Sequence, residues 1–393
     1  MVTGGIHIDA TTLAGVFLSA ALAVGVWRAY RVLARKNVDR IARAAFTRPH
    51  EVPAGTTHIF VCVADHFEPY WFNRDPGLAH ERVHRWIERY PRAVEGLHDN
   101  GGNSPRHTFF YPQEEYDPRC LDLLAALARA RLGEVEVHLH HDRDTAEGLR
   151  EKLVRFTSDL HSQHGLLHVD RATGRPSYAF IHGNWTLANS DPDGKYCGVN
   201  GELRVLAETG CYADFTYPSA PHPTQPPIMN TIYYATDDPH RPRAHWKGIH
   251  AQYGRAGEGT LLMVTGPLCV NWKKRRRFLP AIENGDITNL NPALPSRVDA
   301  WVRTGVHVRG FPRWVFVKAY THGGQESNAE HLLSERPGSL SAMYRDLLAR
   351  YNDGERHVVH FSTPWEIVQA VRALEAADEP TIRALERFEH RVV

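Results

Sequence analysis

The residues able to do chemistry fall into five short groups: Asp65-His66, His138-Leu139-His140-His141-Asp142-Arg143-Asp144, His182-Gly183-Asn184-Trp185, Asp214, and Thr321-His322-Gly323. Histidine dominates them, and the chain is unusually rich in it, with 25 of 393 residues. Imidazole is a common metal ligand and titrates near neutral pH. If the second group ends a strand, side-chain alternation turns His138 and His140 one way and His141 the other. Two imidazoles on one side, next to a turn bearing Asp142 and Asp144, can converge on one ion. Imidazole and carboxylate together suit zinc and related divalent metals. Each residue also has a plainer reading. The histidine cluster can be solvated at a loop mouth, Trp185 can be core, Asp214 can cap a turn, and His322 can bond a loop carbonyl. Glu68-Pro69 reads as a residue pair that shapes the loop after the first group.

The elements needed to position these groups are legible. Thr57 to Ala64 is a continuous apolar run, as in a strand buried on both faces. Strand-like runs follow at 107–111, 135–141, 178–182, 211–217, 231–235, 260–264, 314–320 and 358–361. Helical periodicity is found at 79–97, 121–132, 144–160, 202–209, 339–351 and 364–376. Strands alternating with helices imply parallel βαβ units, and about seven or eight of them imply an α/β fold of the (β/α) barrel type. A parallel barrel gathers its chemistry where strands end, and four of the five groups place a histidine there. Residues 218–258 break the rhythm and read as an excursion over the barrel mouth.

The order of these groups resembles the polysaccharide deacetylases, a family with a distorted (β/α) barrel and a metal held by one Asp and two His. Val63-Ala64-Asp65-His66-Phe67 stands where that family has an acidic pair. The resemblance gives Asp65 the place of the general base and His66 that of a metal ligand, with Asp65 as a ligand kept open. Glu136-Val137-His138-Leu139-His140 is similar to the strand ending in the first ligand histidine, which makes His140 a ligand. The family's second histidine falls at Asp144, so the resemblance implies a carboxylate there. Phe180 to Trp185 takes the place of a motif whose Arg and Pro are absent. Asp214 looks like the Asp of the following strand, and Ala319-Tyr320-Thr321-His322 resembles the late Leu-x-His. The departures imply a divergent branch.

The reaction implied is amide hydrolysis at an N-acetylated sugar of a glycan or lipid-linked precursor. A zinc-like ion, held by His66, His138, His140 and Asp144, would polarise the acetyl carbonyl and acidify a water. Asp65 would take the proton, His322 would protonate the leaving amine, and Asp214 would orient a neighbouring group. His182, Asn184 and Trp185 would contact the sugar. Two other classes stay open: a barrel hydrolase with another scissile bond, glycosidic or phosphoester, and a barrel without catalysis that binds carbohydrate.

From Ala10 to Trp27 about eighteen residues carry no charge, enough to cross a bilayer as a helix. No Lys or Arg precedes this run, as a signal peptide would need. Arg28, Arg31, Arg35, Lys36, Arg40 and Arg43 follow it, so an uncleaved anchor would leave the folded domain on the cytoplasmic side. The run Lys273-Lys274-Arg275-Arg276-Arg277 reads as a solvated face or as a contact with anionic lipid. The expected organisation is an anchor over 1–30, a basic linker over 31–56, the barrel over 57–376 and a tail over 377–393. A formal net charge of +1 gives no general attraction to nucleic acid. Five cysteines without a CxxC pair show no disulfide framework and no Cys-rich zinc site, and fit a reducing compartment.

Overall fold

The computed structural model describes residues 10–35, 39, 43, 55–276 and 279–389, with the side chains of 10–18, 32–35 and 274–280 outside that description. Most of the expected basic linker and the side chains of Lys274 to Arg277 therefore lie outside the described residues. The chain opens with helix α1 (Ala10–Arg35). The packed body that follows contains helices α2 (Pro76–Ala93), α3 (Pro118–Arg129), α4 (Ala146–His164), α5 (Glu202–Glu208), α6 (Pro295–Thr304), α7 (Glu326–Leu332), α8 (Leu340–Tyr351), α9 (Pro364–Glu375) and α10 (Glu379–Glu386).

These helices surround a large, mostly parallel sheet. Its strands are β1 (Thr57–His66), β2 (His107–Pro112), β3 (Gly133–Leu139), β4 (His168–Val169), β5 (Pro176–His182), β6 (Cys211–Asp214), β7 (Ile232–Ala235), β8 (Gly248–His250) and β9 (Leu261–Val264). After an antiparallel hairpin of β10 (Cys269–Arg276) and β11 (Leu279–Glu283), the sheet resumes with β12 (Trp314–Thr321) and β13 (His357–Phe361). The strand order is β12-β1-β2-β3-β5-β6-β9-β7-β8, with β13 also on β1. Pairing is parallel from β12 to β9. β7 departs from the expected parallel rhythm, running antiparallel to both β9 and β8. Part of the 218–258 excursion is thus sheet. The sheet curls back toward its start through residues 305–309: Arg309 N–H donates to Ala251 O at 3.0 Å and Phe316 N–H to Val306 O at 2.8 Å.

Strand parity sorts side chains between two cores. Ile59, Val61, Val63, Val135, Val137, Phe180, Val315 and Val317 face the layer of α2 to α8, here the outer face. Phe60, Cys62, Ala64, Ala179, Ile181, Trp314 and Phe316 face inward, against α9 and α10. α10 packs Ile382 into that inner core, within the segment expected to be a tail. Local signals set the helix ends. Asp75 caps α2 by accepting from Gly77 N–H at 2.9 Å, ahead of Pro76 in the first turn. Thr145 caps α4, which stops at the left-handed Gly165.

Among the described residues, no helix is long and apolar enough to cross a membrane. The expected anchor over residues 1–30 gains no support there, although residues 1–9 and the side chains of 10–18 lie outside the described residues. What is described of α1 is exposed, including Leu22, Val26, Trp27 and Tyr30.

Candidate metal centre

The parity of β1 separates Asp65 from His66. Asp65 follows Val63 to the outer face, where it is wholly buried. Its Oδ1 accepts from Gly323 N–H at 2.6 Å and its Oδ2 meets His107 Nε2 at 2.8 Å, beneath Trp86 of α2. Both oxygens are committed to holding the loop after β12 onto β1 and β2. The expectation that Asp65 is the base or a ligand is therefore corrected. It is a clamp, because an odd position on this strand points away from the inner face. His66 points inward, its ring 5.1 Å from that of His138 and 4.8 Å from that of His322. Burial first, then the neighbouring imidazoles and Lys318, hold His66 well below the usual histidine range, so it is neutral at neutral pH.

His138, in β3, and His140, just past its end, lie on the same side, as alternation required. His138 Nδ1 lies 2.8 Å from Ile181 O, and His140 Nδ1 lies 2.6 Å from Glu114 Oε1. A carbonyl and a carboxylate can only accept, so both δ nitrogens carry a proton and the ε nitrogens are the atoms left to ligate. Those ε nitrogens converge on Glu68, whose Oε1 is 3.5 Å from His138 Nε2 and 3.1 Å from His140 Nε2. His138 Nε2 and Glu68 Oε2 are buried with no hydrogen-bond partner. Acceptors left facing one another in a buried site call for a cation between them, and carbonyl- and carboxylate-anchored imidazoles are the usual outer support of such sites. Glu68, His138 and His140 form a group that could hold a metal ion. In the cation's absence, burial works against a charged His140, but the Glu114 and Glu68 carboxylates outweigh it and raise it to about 10, so its Nε2 then carries a proton that a bound cation would displace. Burial likewise opposes the Glu68 charge, and the adjacent His138 and His140 imidazoles overcome it and hold the carboxyl low.

His66 and His322 flank this group without joining its converging atoms. Tyr320 lies beside His66 (ring centroids 5.8 Å), Trp71 beside His322 (6.5 Å) and Trp185 beside His66 (6.5 Å). Trp185 keeps its indole N–H buried without a partner. Asn184 is exposed at a left-handed turn position, φ 56°. Gly183 closes against β3: a Cβ there would stand 2.2 Å from His140 Cδ2. Asp214 does not reach the group. Thr216 donates to it twice, at 3.1 Å from N–H and 2.7 Å from the hydroxyl, and burial pushes its carboxyl up to about 7. Lys318, pressed down to about 7 by burial, donates to Phe215 O at 2.6 Å.

Asp144 and His182 belong elsewhere. His182 is an even residue, but it ends a strand whose even residues point outward. There its Nε2 meets His141 Nε2 at 2.8 Å and Glu202 Oε1 at 3.4 Å. Asp144 accepts from Lys152 Nζ at 2.6 Å and lies 3.1 Å from His141 Nδ1, so it supports His141. Cys197 completes this second buried group, which also could hold a metal ion. The expected sugar contact at His182 and the expected ligand at Asp144 are both corrected by this placement. Sequence reasoning gave Glu68 only a loop-shaping role, did not single out Glu114, Cys197 or Glu202 for the site, and did not count His141 among the expected ligands. For His141 the signal was present, since alternation already turned it away from His138 and His140. A cavity of about 430 Å³ lies apart from both groups, lined by Asp99, Arg106, His360 and Glu366. It holds no converging lone pairs, so the chemistry of the side chains, and not the volume, locates the site.

No family model matches the chain, and no curated protein matches it. Among solved structures, it is similar to an alpha-mannosidase from Enterococcus faecalis V583, with 10% identity and a TM-score of 0.39 over 81% of this chain. The chain spans 29% of the length of that protein. So distant a likeness carries no argument about activity.

Proposed function

We propose that this protein is a metal-dependent hydrolase whose cation is held by Glu68, His138 and His140. The observation that carries the reading is the convergence of two ε nitrogens, each anchored through its δ nitrogen, on a buried carboxylate where β1 and β3 end. We read the curled sheet as a distorted (β/α) barrel, which puts that convergence where such folds keep their chemistry. A divalent ion, zinc being the best match to two imidazoles and a carboxylate, would polarise a carbonyl and lower the pKa of a water. His66, neutral and buried beside the group, is placed to accept a proton. His322, next to it on the loop that Asp65 clamps, is placed to return one to a leaving amine. Trp71, Tyr320 and Trp185 offer apolar faces on which a sugar ring can lie.

The substrate class follows from the resemblance in motif order: an N-acetylated sugar in a glycan or lipid-linked precursor, with acetate as the product. Incubating purified protein with N-acetylated glycans and measuring acetate tests it. Metal-dependent acetate release, lost in Glu68→Gln, is the expected result. Bound metal together with cleavage of a glycosidic or phosphate ester bond, and no acetate, would move the protein to another hydrolase class. Absence of bound metal would leave a carbohydrate-binding reading. The exposed apolar surface of α1, with Arg28 and Arg31 behind it, supports membrane attachment with the folded body on the cytoplasmic side.

A further inference from the structure

The outer-face group formed by His141, His182, Cys197 and Glu202 is distinct from the centre proposed above. All four side chains are buried, none more than 7% exposed. The two imidazoles are again oriented through their δ nitrogens. His141 Nδ1 faces Asp144 Oδ2, and His182 Nδ1 bonds Gly183 O. The two ε nitrogens are hydrogen-bonded to each other at 2.8 Å, through a proton that a bound cation would displace, with Glu202 Oε1 at 3.3 Å from one and 3.4 Å from the other. Tetrahedral coordination with bonds of roughly 2.0–2.1 Å sets ligand atoms about 3.3 Å apart. Glu202 Oε2 accepts from Ala188 N–H at 2.6 Å and from the Cys197 thiol at 3.3 Å, and Oε1 faces the two imidazoles.

Cys197 brings the fourth atom. Its sulfur accepts from Asn189 N–H at 3.3 Å and Val199 N–H at 3.4 Å and donates to Glu202 Oε2 at 3.3 Å; burial and the Glu202 charge hold the free thiol protonated, so a bound cation is what would draw off its proton. The chain around these ligands is bent hard. Asn184, Trp185, Ala188, Asn189 and Tyr196 all have positive φ, and Gly198 leaves no room for a Cβ, which would come within 2.8 Å of Asp144 N. Left-handed non-glycine residues persist where surrounding structure over-determines them. Here five fall within the one loop that wraps the four ligands.

We propose that His141, His182, Cys197 and Glu202 bind a second divalent metal, zinc by its ligand chemistry, in a closed structural centre that pins the loop from Gly183 to Glu202. Four protein ligands and full burial leave no open position for substrate. The ion acts on the first centre only by position. It fixes Gly183, which packs on the His140 ring, and Trp185, which lines the mouth. On binding, the Cys197 thiol gives its proton to solvent and sulfur becomes an anionic ligand.

The test uses the full chain, purified without chelator, dialysed against zinc and assayed for metal by mass spectrometry. Wild type should hold two equivalents. Cys197→Ala and His182→Gln should each lose one, and His138→Gln should lose the other. Loading with cobalt(II) should give a thiolate-to-metal charge-transfer band that survives His138→Gln and vanishes in Cys197→Ala. Chelation should also speed tryptic cleavage after Lys195, on the exposed turn of this loop. The proposal is overturned if wild type gives no thiolate–cobalt band, or if Cys197→Ala binds as much metal as wild type. The wild-type spectrum decides even if a variant fails to fold. If instead His138→Gln costs no metal while Cys197→Ala does, the proposed hydrolase centre fails and this one stands.

Discussion

Glu114 touches the candidate centre only through His140, yet it fixes that ring's tautomer and direction. Losing such an outer carboxylate typically weakens metal binding about ten- to a hundredfold. Glu114→Ala should do so here, as read by competitive titration with a metal-sensitive dye. An unchanged affinity would mean that His140 needs no such support. Gly183→Ala is a sharper probe. The added Cβ must push the His140 ring, because it would sit 2.2 Å from Cδ2. Overpacking of this kind costs about 1–3 kcal/mol. The variant should fold but bind the Glu68 metal more weakly, and a crystal structure should show His140 turned. Asp65→Ala separates a clamp from a base. Removing both of its bonds leaves Gly323 N–H and His107 buried without a partner, so stability should fall by about 3 kcal/mol while bound metal stays constant. A variant as stable as wild type but catalytically dead would restore Asp65 as the base.

At the scale of elements, β1 is the member that everything depends on, pairing with β12, β13 and β2. Its lower end meets β13 through His58 Nδ1 and His360 Nε2, 2.9 Å apart. Burial, and then the Arg313 guanidinium, lower His58 from 6.5 to about 4. Burial and then His58 lower His360 as well. Below pH 6.5 the unfolded chain takes up protons that folded His58 refuses until about pH 4. Stability should therefore fall as pH drops through that window, by about 3 kcal/mol from His58 alone. Denaturant unfolding at several pH values reads the slope, and His58→Gln should flatten it. An equal slope in the variant would assign the acid sensitivity to other groups. The outer helices were largely legible in advance, because amphipathic periodicity is local. β7 was legible as a strand at 231–235, but its antiparallel direction was not, and β8 was not foreseen, since their pairing depends on β9, which lies later in the chain.

For the whole molecule, the first question is how α1 is accommodated, given the exposed Leu22, Val26, Trp27 and Tyr30. The expected outcome is that the full chain sediments with membranes and leaves them only in detergent, while a chain lacking residues 1–35 stays in the supernatant. Release by high salt alone would reduce the association to surface charge, since salt screens charge but not apolar insertion. A reporter fused to the carboxyl terminus reads which side the folded body occupies.

The sequence by itself determined that strands alternate with helices, that histidines gather at strand ends, and that His138 and His140 share a face while His141 opposes them. Each follows from periodicity within one segment. It did not determine which face was which. Thr57 to Ala64 is apolar at nearly every position, so a strand buried on both sides carries no period-two signal to tell Asp65 from His66. That parity was decided by packing against α2 and α9. Nor did it pair Glu68 with β3, or Cys197 and Glu202 with His141 and His182. Those partners come from different segments and meet only when the sheet curls and the loop after β5 closes over its outer side.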